Sequence, residues 1–171
     1  MQAFIRIVNH ISQGVGVIAA LMIVVAVAIT CQMIFIRYFL NASTYWHTEA
    51  VVYLMIGATI LGLPYVQKLK GHVNVELVPM LLPPLARKIL LIVSFLAAIA
   101  VLGVMLFYSY ELVHLSFTRG WTSDTVWGPP LWIPYVVMPI GFGLFALQLL
   151  ADLLEILLTP ADDIVIEAGG H

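Results

Sequence analysis

The chain has 171 residues, of which 63% are hydrophobic and only 9% charged, with a mean hydropathy of +1.07 and a net charge of −2. Soluble domains carry roughly 25% charged residues, so this composition excludes a water-soluble fold. A single cysteine, Cys31, lies inside an apolar run and leaves no disulfide framework or zinc cluster; no basic patch suits nucleic acid, and no glycine-rich phosphate loop is present.

Residues 1–13 mix apolar and polar side chains. Phe4, Ile5, Val8 and Ile11 recur at helical spacing, with Arg6, Asn9, His10 and Gln13 between them. That pattern predicts a short amphipathic helix lying at the membrane interface. Residues 14–36 are uncharged and form a first span, ended by Arg37 and Tyr38. A polar turn through Asn41 and Ser43 leads to Trp46 and Glu49, which open a second span over 49–66. Lys68, Lys70 and Gly71 close it.

Residues 73–84 are apolar but broken by Asn74, Glu76, Pro79 and the Pro83-Pro84 pair, which predicts an interfacial segment rather than a crossing. Arg87 and Lys88 introduce a third span, 89–117. A loop with Gly120, Trp121, Trp127 and Gly128 follows, and the fourth span is 131–158, with Pro134 and Pro139 in its first half. Membrane helices tolerate such prolines. The expected fold is an all-α integral membrane protein: one membrane domain of four transmembrane helices over 1–171. Lys68, Lys70, Arg87, Lys88 and Arg6 fall on one side and only Arg37 and Arg119 on the other. The excess of basic residues predicts cytoplasmic N and C termini.

No acidic or basic residue falls at the middle of a span, where transporters place ion and substrate sites. The polar residues inside the spans, Thr30, Thr59, Ser94 and Gln148, suit helix-packing hydrogen bonds. Small residues spaced four apart (Gly16 and Ala20, Ala58 and Gly62, Ser94 and Ala98) allow close helix approach. His47 and His114 lie at similar depth on different helices, so a haem-bearing electron-transfer subunit is one alternative reading; the plainer one has each histidine bonded to a nearby carboxylate. A self-associating small channel is another alternative. No catalytic residue, metal site or cofactor is expected, and the chain does not read as an enzyme.

Several short motifs occur in a consistent order: Arg37-Tyr38, Trp46-x-x-Glu49, Leu61-Gly62, Gly71-His72-Val73-x-Val75-Glu76, Pro130-Leu131-Trp132 and Pro139-Ile140-Gly141-Phe142. In these the chain resembles the small (Q-type) membrane subunit of TRAP transporters, the tripartite ATP-independent periplasmic systems. The resemblance marks Arg37, Tyr38, Trp46, Glu49, Gly62, Gly71, His72, Glu76, Trp132, Pro139 and Gly141 as structural or partner-interface positions. Thr48 stands where family members often carry a second acid beside Glu49. The resemblance implies a scaffold subunit in the bacterial inner membrane, without cofactor. It would sit among membrane lipids beside a large (M-type) subunit, which holds the sodium and substrate sites. A periplasmic binding protein would deliver an organic anion, such as a carboxylate or sialic acid, and touch the outer loops 38–47 and 118–130. It also implies that the small subunit here is separate rather than fused.

Overall fold

In hydrocarbon a long uncharged segment can satisfy its own N–H and C=O groups only as a helix. The computed structural model describes residues 2–69 and 83–158, and its apolar runs form α1 (Gln2–Phe39), α2 (His47–Lys68), α3 (Pro84–Thr118) and α4 (Trp132–Leu158). All four are long and apolar enough to cross a membrane. Most of the expected interfacial segment at 73–84 lies outside the described residues. Its last two residues open α3, with Pro83 as N-cap and Pro84 in the first turn, where a missing N–H leaves nothing unpaired.

The separate N-terminal amphipathic helix is corrected. Residues 2–13 are the first turns of α1, which runs unbroken for 38 residues. Their burial also departs from an apolar stripe set against a polar one, although Val8 is buried. Ser12 is buried, whereas Phe4 and Ile11 are exposed. Asn9 and Ser12 find their partner on α4, so that face of the helix has no need of headgroup water.

The buried stripe of α1 is Val8, Ser12, Gly16, Ala19 and Ala26, and its small residues let α2 come close. A Cβ on Gly16 would fall 2.4 Å from the Tyr65 ring, and one on Gly57 2.4 Å from Met22 Cε. Gly62 faces Ala19. The pairs 16/65, 19/62 and 22/57 define an antiparallel register. Of the paired small residues expected to mediate packing, Gly16 and Ala58 are buried and Ala20 is exposed.

A close approach of α4 to α2 has a covalent cause. Pro64 lies inside α2 and has no N–H to give the carbonyl of Ile60, four residues earlier. That carbonyl faces Gly141: a Cβ there would stand 3.0 Å from Ile60 O and 2.3 Å from Ile60 Cγ2. Around this point lies the core of Ile60, Leu102, Phe142 and Leu149.

Helix α4 touches α1, α2 and α3, whereas among the described residues α3 touches only α4. At 38 and 35 residues, α1 and α3 are about 57 and 52 Å long, well beyond the ~30 Å hydrocarbon layer. The 22 residues of α2 span only about 33 Å. Gly141→Leu is expected to destabilise the bundle by about 1–3 kcal/mol through overpacking. Gly103→Leu, where an added Cβ meets nothing within 4 Å, should be close to neutral. Thermal unfolding of both variants in detergent distinguishes them.

Candidate functional site

Polar side chains that reach between helices gather at the two ends of the bundle. One end is aromatic, holding Tyr38, Tyr45, Trp46, Trp121 and Trp127. The other is basic, holding Arg6, Lys68, Arg87 and Lys88.

At the aromatic end α3 stops in a glycine cap. Gly120 has φ +60°; its N–H meets Phe117 O at 3.3 Å, and the N–H of Trp121 meets Ser116 O at 3.0 Å. These two bonds satisfy the last carbonyls of the helix in the Schellman arrangement. The chain then folds back on itself, with Ser123 N–H on Pro129 O (3.0 Å) and Leu131 N–H on Trp121 O (2.9 Å). This places Thr125 against the start of α2.

Glu49, in the first turn of α2, accepts from the hydroxyls of Tyr53 and Thr125. A carboxylate there is also favoured by the positive end of the helix dipole. Thr125 Oγ1 in turn receives Ser123 Oγ at 3.3 Å and the Gly128 N–H at 3.4 Å. Glu49 therefore ties the loop to α2. Trp46 precedes α2 without a side-chain cap, stacks on His47 with centroids 4.0 Å apart, and lies 6.3 Å from Trp127. The loop turns apolar groups outward, Val126 being 88% exposed and Trp127 also exposed.

His47 departs from its expected carboxylate bond. It is buried, and neither ring nitrogen has a partner among the described residues. His114 is exposed on α3, which does not touch α2, so the two histidines do not converge.

At the basic end a polar network runs through three helices. Gln148, 1% exposed, accepts from Ser12 Oγ at 2.7 Å and donates through Nε2 to Asn9 Oδ1 and Asp152 Oδ1, each at 2.9 Å. Asp152 Oδ2 receives Gln67 Nε2 at 2.8 Å. Lys68 Nζ adds a contact to Gln13 Oε1 at 3.2 Å. Lys88 Nζ meets the Leu157 carbonyl at 3.4 Å, and Arg87 and Glu155 are engaged as well. The network joins α1, α2 and α4. By contrast Thr30 and Thr59 bond only to carbonyls of their own helices, Ala26 O and Met55 O.

The positions marked by the resemblance divide by depth. Arg37, Tyr38, Trp46 and Glu49 are at the aromatic end, where Trp132 opens α4 edge-on to Phe117 at 5.7 Å. Gly62 and Gly141 are close-packing points, and Pro139 lies inside α4 two residues before Gly141. Gly71, His72 and Glu76 fall outside the described residues. The helix-packing hydrogen bond expected of Gln148 is present, whereas its partners Asn9 and Ser12 and the link through Asp152 to Gln67 were not anticipated. Among the described residues no cluster of three or more His, Cys, Asp or Glu could hold a metal ion.

Gln148→Leu should leave Asn9 and Ser12 without their partner, take one bond from Asp152, and cost about 1–3 kcal/mol. Thr59→Val, which removes a bond within one helix, should cost well under 1 kcal/mol. Denaturant midpoints in detergent test the contrast. Glu49→Gln should accelerate amide exchange over 119–131 while leaving exchange in α1 unchanged.

Residues 26–159 match the family described as tripartite ATP-independent periplasmic transporters, DctQ component. A TRAP transporter small permease protein of Haemophilus influenzae is 24% identical over 142 residues, 81% of this chain and 84% of that protein. The ectoine TRAP transporter small permease protein TeaB of Halomonas elongata is 27% identical over 140 residues, 82% of this chain and 72% of its own length. The isethionate TRAP transporter permease protein DctMQ of Oleidesulfovibrio alaskensis is 29% identical over 112 residues, 66% of this chain. The match spans only 18% of that larger protein. No solved structure matches the chain. With four apolar helices and a family match covering most of its length, the chain belongs to the DctQ family and is a multi-pass membrane subunit of a TRAP transporter.

Proposed function

We propose that this chain is the fixed scaffold subunit of a sodium-coupled, binding-protein-dependent importer of organic anions in the bacterial inner membrane. One observation carries the reading. Among the described residues, the interhelical hydrogen bonds lie toward the two ends of the bundle, and the middle is apolar around Ile60, Leu102 and Phe142. A bundle with no ionisable group at its midsection lacks the groups with which transporters bind ions and substrates. The translocating site then belongs to a larger membrane subunit beside it. The relative named DctMQ, of which this chain matches only a minor part, supports such a partnership.

The partner's surface would meet α3, which among the described residues packs only on α4. The relatives are named for different solutes, isethionate and ectoine, which agrees with a substrate chosen elsewhere. The basic end would face the cytoplasm by the lysine and arginine excess. The aromatic end would face the periplasm, where Val126 and Trp127 offer an apolar contact to the binding protein.

Two measurements test this. In a Cys31→Ser background, an impermeant thiol reagent applied to spheroplasts should label Val126→Cys and leave Gly71→Cys unlabelled; the opposite pattern would invert the orientation. In liposomes under a sodium gradient the chain alone should move no carboxylate solute. Uptake should appear only with the large subunit and binding protein, and sodium-driven uptake by this chain alone would refute the scaffold role.

A further inference from the structure

The basic end contains a groove that the transporter reading does not use. It is a cavity of about 510 Å³ between the first turns of α1 and the last turns of α2 and α4, with Arg6, Asn9, His10, Lys68 and Glu155 on its walls. Ile5 and Leu158 add apolar surface.

Its depth follows from the packing. Lys68, at the end of α2, reaches Gln13 on α1, so the turns of α1 before Gln13 extend past the end of α2. Gln67 and Gln148, just inside, belong to the buried network. The groove therefore begins where the apolar bundle ends, at the level expected for lipid headgroups.

Its donors are directed by bonds already made. His10 Nδ1 donates to the Arg6 carbonyl at 2.8 Å, so the neutral ring presents Nε2 as an acceptor and adds no donor to the groove. Asn9 uses its carbonyl oxygen for Gln148, which leaves its N–H₂ group. Lys68 gives one N–H to Gln13 and retains two. Arg6 is exposed. Glu155, on the α4 wall, is engaged in a contact of its own. Two basic side chains, Arg6 and Lys68, and one neutral donor, the Asn9 N–H₂ group, thus meet beside an apolar rim.

We propose that this groove binds the phosphate headgroup of an anionic phospholipid, with Arg6 and Lys68 as its cationic contacts and Ile5 and Leu158 against the upper acyl chains. A free phosphate would match the donors and leave the rim unused. The proposal rests on the membrane-spanning reading and on no transporter partner, so its failure would leave the scaffold role untouched.

The test is native mass spectrometry of the full-length chain in detergent. It is titrated separately with dioctanoyl phosphatidylglycerol, dioctanoyl phosphatidylcholine and inorganic phosphate. Phosphatidylglycerol should bind at one saturable site, and the other two far more weakly. Arg6→Gln and Lys68→Gln should each weaken phosphatidylglycerol binding about fivefold and together roughly 25-fold, as expected for one surface cation apiece. Arg6→Lys should retain most of the binding, and Arg37→Gln at the opposite end should change nothing. Equal binding of phosphatidylcholine, equal binding of inorganic phosphate, or an equal loss in Arg37→Gln would each overturn the proposal. So would binding seen only after Asp162 and Asp163 are both changed to Asn, which would give the groove to the chain's own acidic tail.

Discussion

Gln148 sets the arrangement of three of the four helices. A primary amide in an apolar helix has to find partners, because hydrocarbon offers none and an unpaired buried polar group costs several kcal/mol. Its oxygen accepts from Ser12 and its nitrogen donates to both Asn9 and Asp152, so α1 is held to α4 at one rotation and one height. Asp152 passes the constraint to α2 through Gln67. Apolar packing alone tolerates sliding and rotation. A connected set of directional bonds does not, and this one fixes the register among α1, α2 and α4.

Close approach is what makes those bonds possible. Polar side chains as short as those of Ser12 and Asn9 reach Gln148 only if the axes of α1 and α4 are near, while the stripe of Gly16 and Ala19 on α1 brings α2 close on its own side. Helix α2 contributes a different device. Pro64 frees the Ile60 carbonyl, Gly141 leaves room for that carbonyl to approach, and α4 settles against α2 at the same point. The proline that weakens one helix and the glycine that thins another therefore act as a pair. Neither residue alone explains the contact.

The spans were legible in the sequence because hydropathy and length decide them, and the family was legible because its motifs keep their order along the chain. The N-terminal turns were misread for a physical reason. Polar residues at helical spacing were assigned to water, whereas Asn9 and Ser12 face inward to a glutamine 139 and 136 positions away. Periodicity finds the polar face of a helix but does not say whether water or another polar face covers it. Glu49 could be marked as a family position, yet its bond to Thr125 depends on a glycine-capped turn whose fold-back brings residue 125 across 76 positions. His47 shows the converse. A neighbouring carboxylate in sequence suggested a partner, but the ring instead stacks on Trp46 and Glu49 is occupied by hydroxyls.

The same distribution of bonds separates α3 from the rest. Helices α1, α2 and α4 share the network at one end, and the loop after α3 is tied to α2 through Glu49 at the other. Among the described residues helix α3 itself meets the bundle only along α4, through apolar contacts such as Leu106 beside Gly143 and Phe117 against Trp132 and through Lys88, which reaches the Leu157 carbonyl. Apolar contact between helices in lipid is weakly selective, since the lipid tails are as apolar as the side chains they would replace. A helix held in this way keeps its position through the connections at its ends and through whatever covers its remaining surface. The buried network around Gln148 thus defines a three-helix unit, and among the described residues no other helix covers the surface of α3 away from α4.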